Sequence, residues 1–202
     1  MENDTYRSIN SPGESLYKVK GSKHFGYAFR VNNEDDIKLR LEQVKKEHHS
    51  ARHHCYAWKL GMGEDNFRAN DDGEPSNSAG KPIYGAILSA DLTNILIVVV
   101  RYFGGTKLGV GGLIDAYRTA AKMAIEEANI VEEKLQTYFK ISFPYPQMGA
   151  VMSAMKDMDL PVNEPIFEMH CTLSTQIRQA NAQELEERFN DLDQVVAERI
   201  EY

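Results

Sequence analysis

Two short stretches carry the residues most able to do chemistry. The first is Asp71-Asp72-Gly73-Glu74-Pro75, with three carboxylates in five residues. The second is RYFGGTKLGVGGL, where Arg101, Tyr102, Phe103 and Lys107 crowd a turn containing Gly104, Gly105, Gly109, Gly111 and Gly112. Closely spaced carboxylates can hold Mg²⁺ or Ca²⁺ through oxygen ligands. The EF-hand pattern, with its glycine and distant glutamate, is absent here. The simpler reading is an acidic turn closed by Asx-type hydrogen bonds and an ion pair to Arg68 or Arg101. A contact with a protein or peptide is the other alternative.

The glycine stretch has the layout of a phosphate cradle, since the apolar run ILIVVV feeds it and a helical pattern follows. A Walker A loop needs Lys after its second glycine. Gly104 and Gly109 have that separation, but Val110 follows, and Lys107 lies inside the loop. A dinucleotide fingerprint fits Gly109 and Gly111 but meets Ile114 at the third glycine, where bulk holds helix and strand apart. Neither motif is complete. Gly104-Gly105 then reads as a sharp exit from a buried strand, and Gly109, Gly111 and Gly112 as close packing of the helix. That leaves the crowding of Arg101, Tyr102, Phe103 and Lys107 unexplained. Strand ends of this kind bind ligands, and amides opening a helix favour anions. The candidate binding set is therefore Asp71, Asp72 and Glu74 from one stretch, with Arg101 through Gly105, Lys107 and Gly109 from the other.

His48, His49, His53, His54 and Cys55 resemble a metal cluster in composition. On a strand, however, His53 and Cys55 share one face and His54 takes the other, and two ligands do not make a zinc site. No catalytic set, metal site or cofactor is assigned, which points away from an enzyme.

The elements that position these residues follow from periodicity. SLYKVKG and KHFGYAFRV read as strands around a Gly21-Ser22 turn, after a frayed arm over residues 1–14. NNEDD opens a helix capped by Asn32 or Asn33, with Ile37, Leu41 and Val44 facing inward. ARHHCYAWKLG is a strand, residues 61–80 a long loop, KPIYGAILSA a helix and NILIVVVRYF a buried strand. Alanines from Ala116 to Ala128 then mark a helix packed close to that strand. After about residue 133 the order strand, helix, strand, strand, helix, strand predicts a ferredoxin-like plait. The expected domains are residues 1–132 and 133–202.

Charge divides the same way. Residues 1–130 carry 17 Lys/Arg and 17 Asp/Glu, whereas residues 131–202 carry 6 and 13, so the net charge of −7 lies wholly in the last third. Such a surface repels phosphate backbones and offers docking for a basic protein. Two separated cysteines, no apolar run long enough to span a bilayer and no secretory signal predict a cytoplasmic protein without membrane contact.

KGSKHFGYAFRV, EHHSARHHCYAW, RANDDGEPSNSAGKPI and VVVRYFGGTKLGVGGLIDAY resemble, in order and spacing, the IMPACT/YigZ family. The resemblance implies an α+β chain. Its N-terminal α/β sandwich would be similar to elongation factor G domain IV, and its C-terminal plait to domain V of that factor. Eukaryotic members act in translation control, binding the large activator of a starvation-sensing kinase. For the bacterial branch the resemblance implies a partner that is a translation-related protein, a ribosome or RNA. The favoured function is thus a non-enzymatic regulator contacting its partner through the two loops. The alternative is a binder of, or enzyme on, an anionic small molecule at the glycine loop. Two positions depart from the family pattern: Asn77-Ser78 replaces Gly-Thr, and Asp115 stands where Arg is common. Asn tolerates a left-handed backbone, so Asn77 is expected to keep the turn.

Overall fold

The computed structural model describes residues 4–200. It is a mixed α+β structure that divides into two compact units, one spanning Tyr6–Glu133 and the other formed, among the described residues, by residues 134–200 together with Asp4 and Thr5.

In the larger unit the chain runs β1 (Thr5–Ser11), β2 (Gly13–Val19), β3 (Ser22–Arg30), α1 (Glu34–Glu47), β4 (His53–Lys59), β5 (Phe67–Asn70), α2 (Gly80–Ser89), β6 (Ile95–Tyr102), α3 (Gly109–Glu127) and β7 (Asn129–Lys134). Five strands form one antiparallel sheet in the order β2-β3-β6-β4-β5. The central strand β6 is apolar on both faces because both are covered. Ile95, Ile97 and Val99 enter a core with α2 and α3, while Leu96, Val98 and Val100 enter a second core with Ile37 and Val44 of α1. This two-sided burial explains a continuous apolar run in an antiparallel sheet, which otherwise alternates. Asn33 caps α1 by accepting from the Asp36 amide at 2.9 Å. The small ridge of α3 lies almost on the backbone of β3, where a Cβ on Gly26 would come within 2.6 Å of the Ala120 carbonyl.

The second unit runs β8 (Gln136–Pro144), α4 (Met148–Asp157), β9 (Asn163–Ile166), β10 (His170–Arg178), α5 (Ala182–Asn190) and β11 (Val196–Ile200). Its antiparallel sheet has the order β11-β8-β10-β9. Phe139, Ile141 and Leu173 on one face pack with Val151 and Met155 of α4 and Leu185 and Phe189 of α5. Among the described residues, no helix is long and apolar enough to cross a membrane.

Three elements correct the sequence expectations. Residues 5–11 of the expected frayed arm form β1, which buries Ile9 and pairs with β7; residues 1–3 lie outside the described part. The expected loop over 61–80 contains the edge strand β5. β7 stands between the predicted Ala116–Ala128 helix and the predicted plait, where its polar pattern, Asn-Ile-Val-Glu-Glu-Lys, carries little apolar signal.

Candidate functional site

The two loops meet at the end of the five-stranded sheet where β6 runs out. Arg101 has its side chain on the α2/α3 side of the sheet, in register with His24 of β3 and His53 of β4. Its Nη1 donates to Glu74 Oε1 at 2.7 Å, and Tyr117 Oη of α3 donates to the same oxygen at 2.8 Å. The Glu74 and Arg101 side chains are only 4% and 8% exposed. Removal of both charges from water is costly, and mutual pairing with added hydrogen bonds offsets it. His24 is fully buried, edge-on to Tyr117 at 5.3 Å between centroids. Burial, reinforced by the Arg101 charge, pulls its imidazole down from 6.5 to about 4, so it is neutral at physiological pH.

The other two acids are committed to backbone. Asp71 Oδ1 accepts from the Ala79 and Gly80 amides at 3.0 and 2.8 Å, and its Oδ2 from the Asn77 amide at 2.8 Å. The carboxylate therefore caps α2 from eight residues upstream, where the helix dipole favours negative charge. Asp72 Oδ2 accepts from the His54 amide at 2.7 Å, and its carbonyl accepts from His53 Nδ1 at 2.9 Å. Asn77 adopts φ +63°, the left-handed conformation expected of it, and Ser78 Oγ donates to the Pro75 carbonyl at 2.6 Å. The acidic turn is thus an internally bonded knot around one buried ion pair.

His53 and Cys55 do share a face, and His54 lies opposite, donating from Nε2 to the His48 carbonyl at 3.2 Å. Cys55 is fully buried with its Sγ donating to the Asp71 carbonyl at 3.0 Å, and burial pushes its thiol well above the ordinary range. A thiol so disposed is not a ready nucleophile. On the opposite sheet face, Tyr102 Oη pairs with His48 Nδ1 at 3.0 Å and Tyr27 Oη with His48 Nε2 at 2.6 Å.

Outside this knot the chain is open. Phe103 is 59% exposed, with the Arg101 guanidinium 5.6 Å from its ring centre. Tyr102 and Phe103 together separate two clefts. One, of about 420 Å³, is lined by Ser50 to His53 and Arg101; the other, of about 340 Å³, by Gly21, Lys23, Phe25 and His48. Lys23 and Arg52 line them and are exposed, and Lys107 is exposed further along the glycine loop. Gly104 is the tight corner, since a Cβ there would lie 1.8 Å from the Gly21 carbonyl carbon. Gly105 and Gly109 have positive φ in open space, and Gly111 is equally open. The expected tight packing of Gly109 and Gly111 therefore does not occur: they stand at the exposed first turn of α3, for which no side chain provides a cap. Asp115 is exposed beside Arg118 at 3.4 Å.

His24 and Tyr117 belong to this constellation but were not singled out as site residues from sequence. Each is local to an ordinary strand or helix pattern, and only the pairing of β3 with β6 and the packing of α3 bring them to Glu74 and Arg101.

A mixed α/β unit with a bonded acidic turn, an arginine–aromatic strand end and a glycine-opened helix defines the class. The chain belongs to the IMPACT family: residues 20–125 match the Impact N-terminal domain. It is 29% identical over 188 residues to the IMPACT family member YvyE of Bacillus subtilis, covering 93% of this chain and 87% of that one. To the IMPACT family member YigZ of Escherichia coli it is 27% identical over 183 residues, with 90% of each covered. A crystal structure of a hypothetical protein superposes with a TM-score of 0.76 at 26% identity, over 98% of each chain.

Proposed function

We propose that this chain is a non-enzymatic binding protein associated with translation, whose contact surface is the sheet end formed by the RYFGG and DDGEP loops. The observation that carries the reading is exposed Phe103, held against the Arg101 guanidinium between two clefts that Lys23 and Arg52 line, with exposed Lys107 four residues further along the same loop. An aromatic anchor rimmed by cations suits a protein or RNA loop. Glu74, Asp71 and Asp72 serve this surface from below by fixing the strand end. The first unit is read as a counterpart of elongation factor G domain IV. The second is read as a ferredoxin-like plait, a reading that its sheet order β11-β8-β10-β9 supports. Free, buried Cys55 and Cys171 suit a reducing, cytoplasmic compartment.

The test is co-sedimentation with ribosomal particles at low and high salt. Wild type is expected to sediment with them at low salt only, and Phe103→Ala combined with Lys107→Glu to stay in the soluble fraction while melting normally. Equal sedimentation of a folded double variant would sink the assignment of this surface. A second reading, an anionic small molecule at the glycine loop, is favoured by the uncapped, exposed first turn of α3. Thermal shift against nucleotides and inorganic phosphate tests it: a ligand at about 100 times its dissociation constant adds roughly 2.7 kcal/mol.

A further inference from the structure

The four-stranded sheet of the second unit has helices on one face only. Directly paired residues of neighbouring strands share a face, so the register defines the other face row by row. One row is Val196, Ser142, Thr172 and Ile166 across all four strands; the next is Glu198, Lys140, Ser174 and Asn163. The centre is flat and hydroxyl-bearing, and Val196 and Ile166, about half exposed, stand at its two sides. Beyond Ile166 the turn into β10 exposes Phe167 and, at 87%, Met169. A groove of about 510 Å³ runs between Tyr138 and Glu164 over Ser174. Isolated exposed apolar residues need no explanation, but their gathering around one open sheet face does.

Charge selects what covers it. The face and its turn carry Glu164, Glu168 and Glu198 against Lys140, while Arg178 at the far end of β10 is already paired with Asp4, and the whole net charge of −7 lies in this third of the chain. Phosphate backbones and anionic headgroups are repelled by such a surface. A second copy would bring the same acids against themselves. Strand addition is also disfavoured, because β9 pairs with β10 at only two positions around a bulge, contains Pro165 and holds Glu164 at φ +46°. We propose that this open face docks a basic, amphipathic segment of another protein, its apolar residues against Ile166, Phe167 and Val196 and its lysines or arginines against Glu164, Glu168 and Glu198. The proposal is independent of the contact surface assigned to the larger unit.

The test places a benzoylphenylalanine photo-cross-linker at Ser174 of the full chain, with a control at Glu187 on exposed α5, and reads the cross-linked peptide by mass spectrometry. The expected adduct forms from position 174 only, and its sequence interleaves Lys or Arg with apolar residues. Charge reversal by Glu164→Lys with Glu198→Lys should lower its yield about tenfold without lowering the melting temperature. An adduct with RNA, with a second copy of this chain or with an acidic segment would overturn the proposal. So would equal adducts from both positions, no adduct at all, or a yield indifferent to charge reversal.

Discussion

Glu74 and Arg101, 27 residues apart in the chain, form a buried ion pair at 2.7 Å that joins the acidic turn to the end of the central strand. Tyr117 adds a third element by donating to the same carboxylate oxygen at 2.8 Å. One carboxylate thus ties the loop before α2, the strand β6 and the helix α3 together beneath the exposed Phe103.

Removing one member of this pair leaves the other charged and buried. Glu74→Ala is expected to lower unfolding stability by about 3–5 kcal/mol. Glu74→Leu together with Arg101→Met should cost much less than the two single changes added. Urea denaturation of wild type, Glu74→Leu, Arg101→Met and the double variant, read as a double-mutant cycle, measures the coupling. An additive pair of losses would show that the two side chains do not act as a unit.

Much of this architecture was readable from local pattern, and the exceptions have physical causes. The apolar run of β6, an asparagine cap on α1 and the face-sharing of His53 and Cys55 are short-range consequences of local pattern, and each is seen, with Asn33 rather than Asn32 making the cap. β1, β5 and β7 are short, largely polar strands whose existence depends on distant pairing partners. In the acidic turn, sequence suggested an ion pair to Arg68 or Arg101 without saying which acid makes it. Only tertiary closure chooses Glu74 and hands Asp71 to the α2 amides. Likewise, glycine types alone did not separate Gly104, pressed against the Gly21 backbone, from Gly111 in open space.

The Asp71 carboxylate accepts from the Asn77, Ala79 and Gly80 backbone amides, and the N-cap residue of α2 itself provides no side-chain acceptor. Asp71→Ala should destabilise by at least the roughly 1 kcal/mol typical of a lost cap. Asp71→Asn keeps one carbonyl oxygen for the Ala79 and Gly80 amides and should lose less. Guanidinium denaturation midpoints check the order, and an Ala variant as stable as wild type would contradict the capping role.

The glycine loop makes opposite predictions at two positions. Gly104→Ala drives a methyl into the Gly21–Ser22 backbone and should cost about 1–3 kcal/mol through overpacking, or more if the strands separate. Gly111→Ala adds a methyl to open helix and should stabilise by about 0.5–1 kcal/mol. Melting curves of the two variants distinguish a close-packed corner from a free helix start. Equal destabilisation would mean that the first turn of α3 is tighter than its surroundings indicate.

His24 gives the larger unit an acid dependence with a definite sign. The unfolded imidazole takes up its proton near 6.5, whereas the buried one, beside Arg101, holds out to about 4. Over that interval the unfolded chain binds more protons, so stability falls as pH drops from about 6.5 to about 4. The full effect of such a shift is on the order of 3 kcal/mol at 1.36 kcal/mol per unit. The carboxyls of Asp4 and Glu133, held low by Arg178 and Arg30, contribute their losses at more acid pH. His24→Phe removes the titrating group while keeping a ring against Tyr117. Denaturation free energies measured across pH 4 to 7 should therefore slope less steeply in the variant than in wild type. Parallel slopes would place the acid sensitivity elsewhere and leave His24 as packing alone.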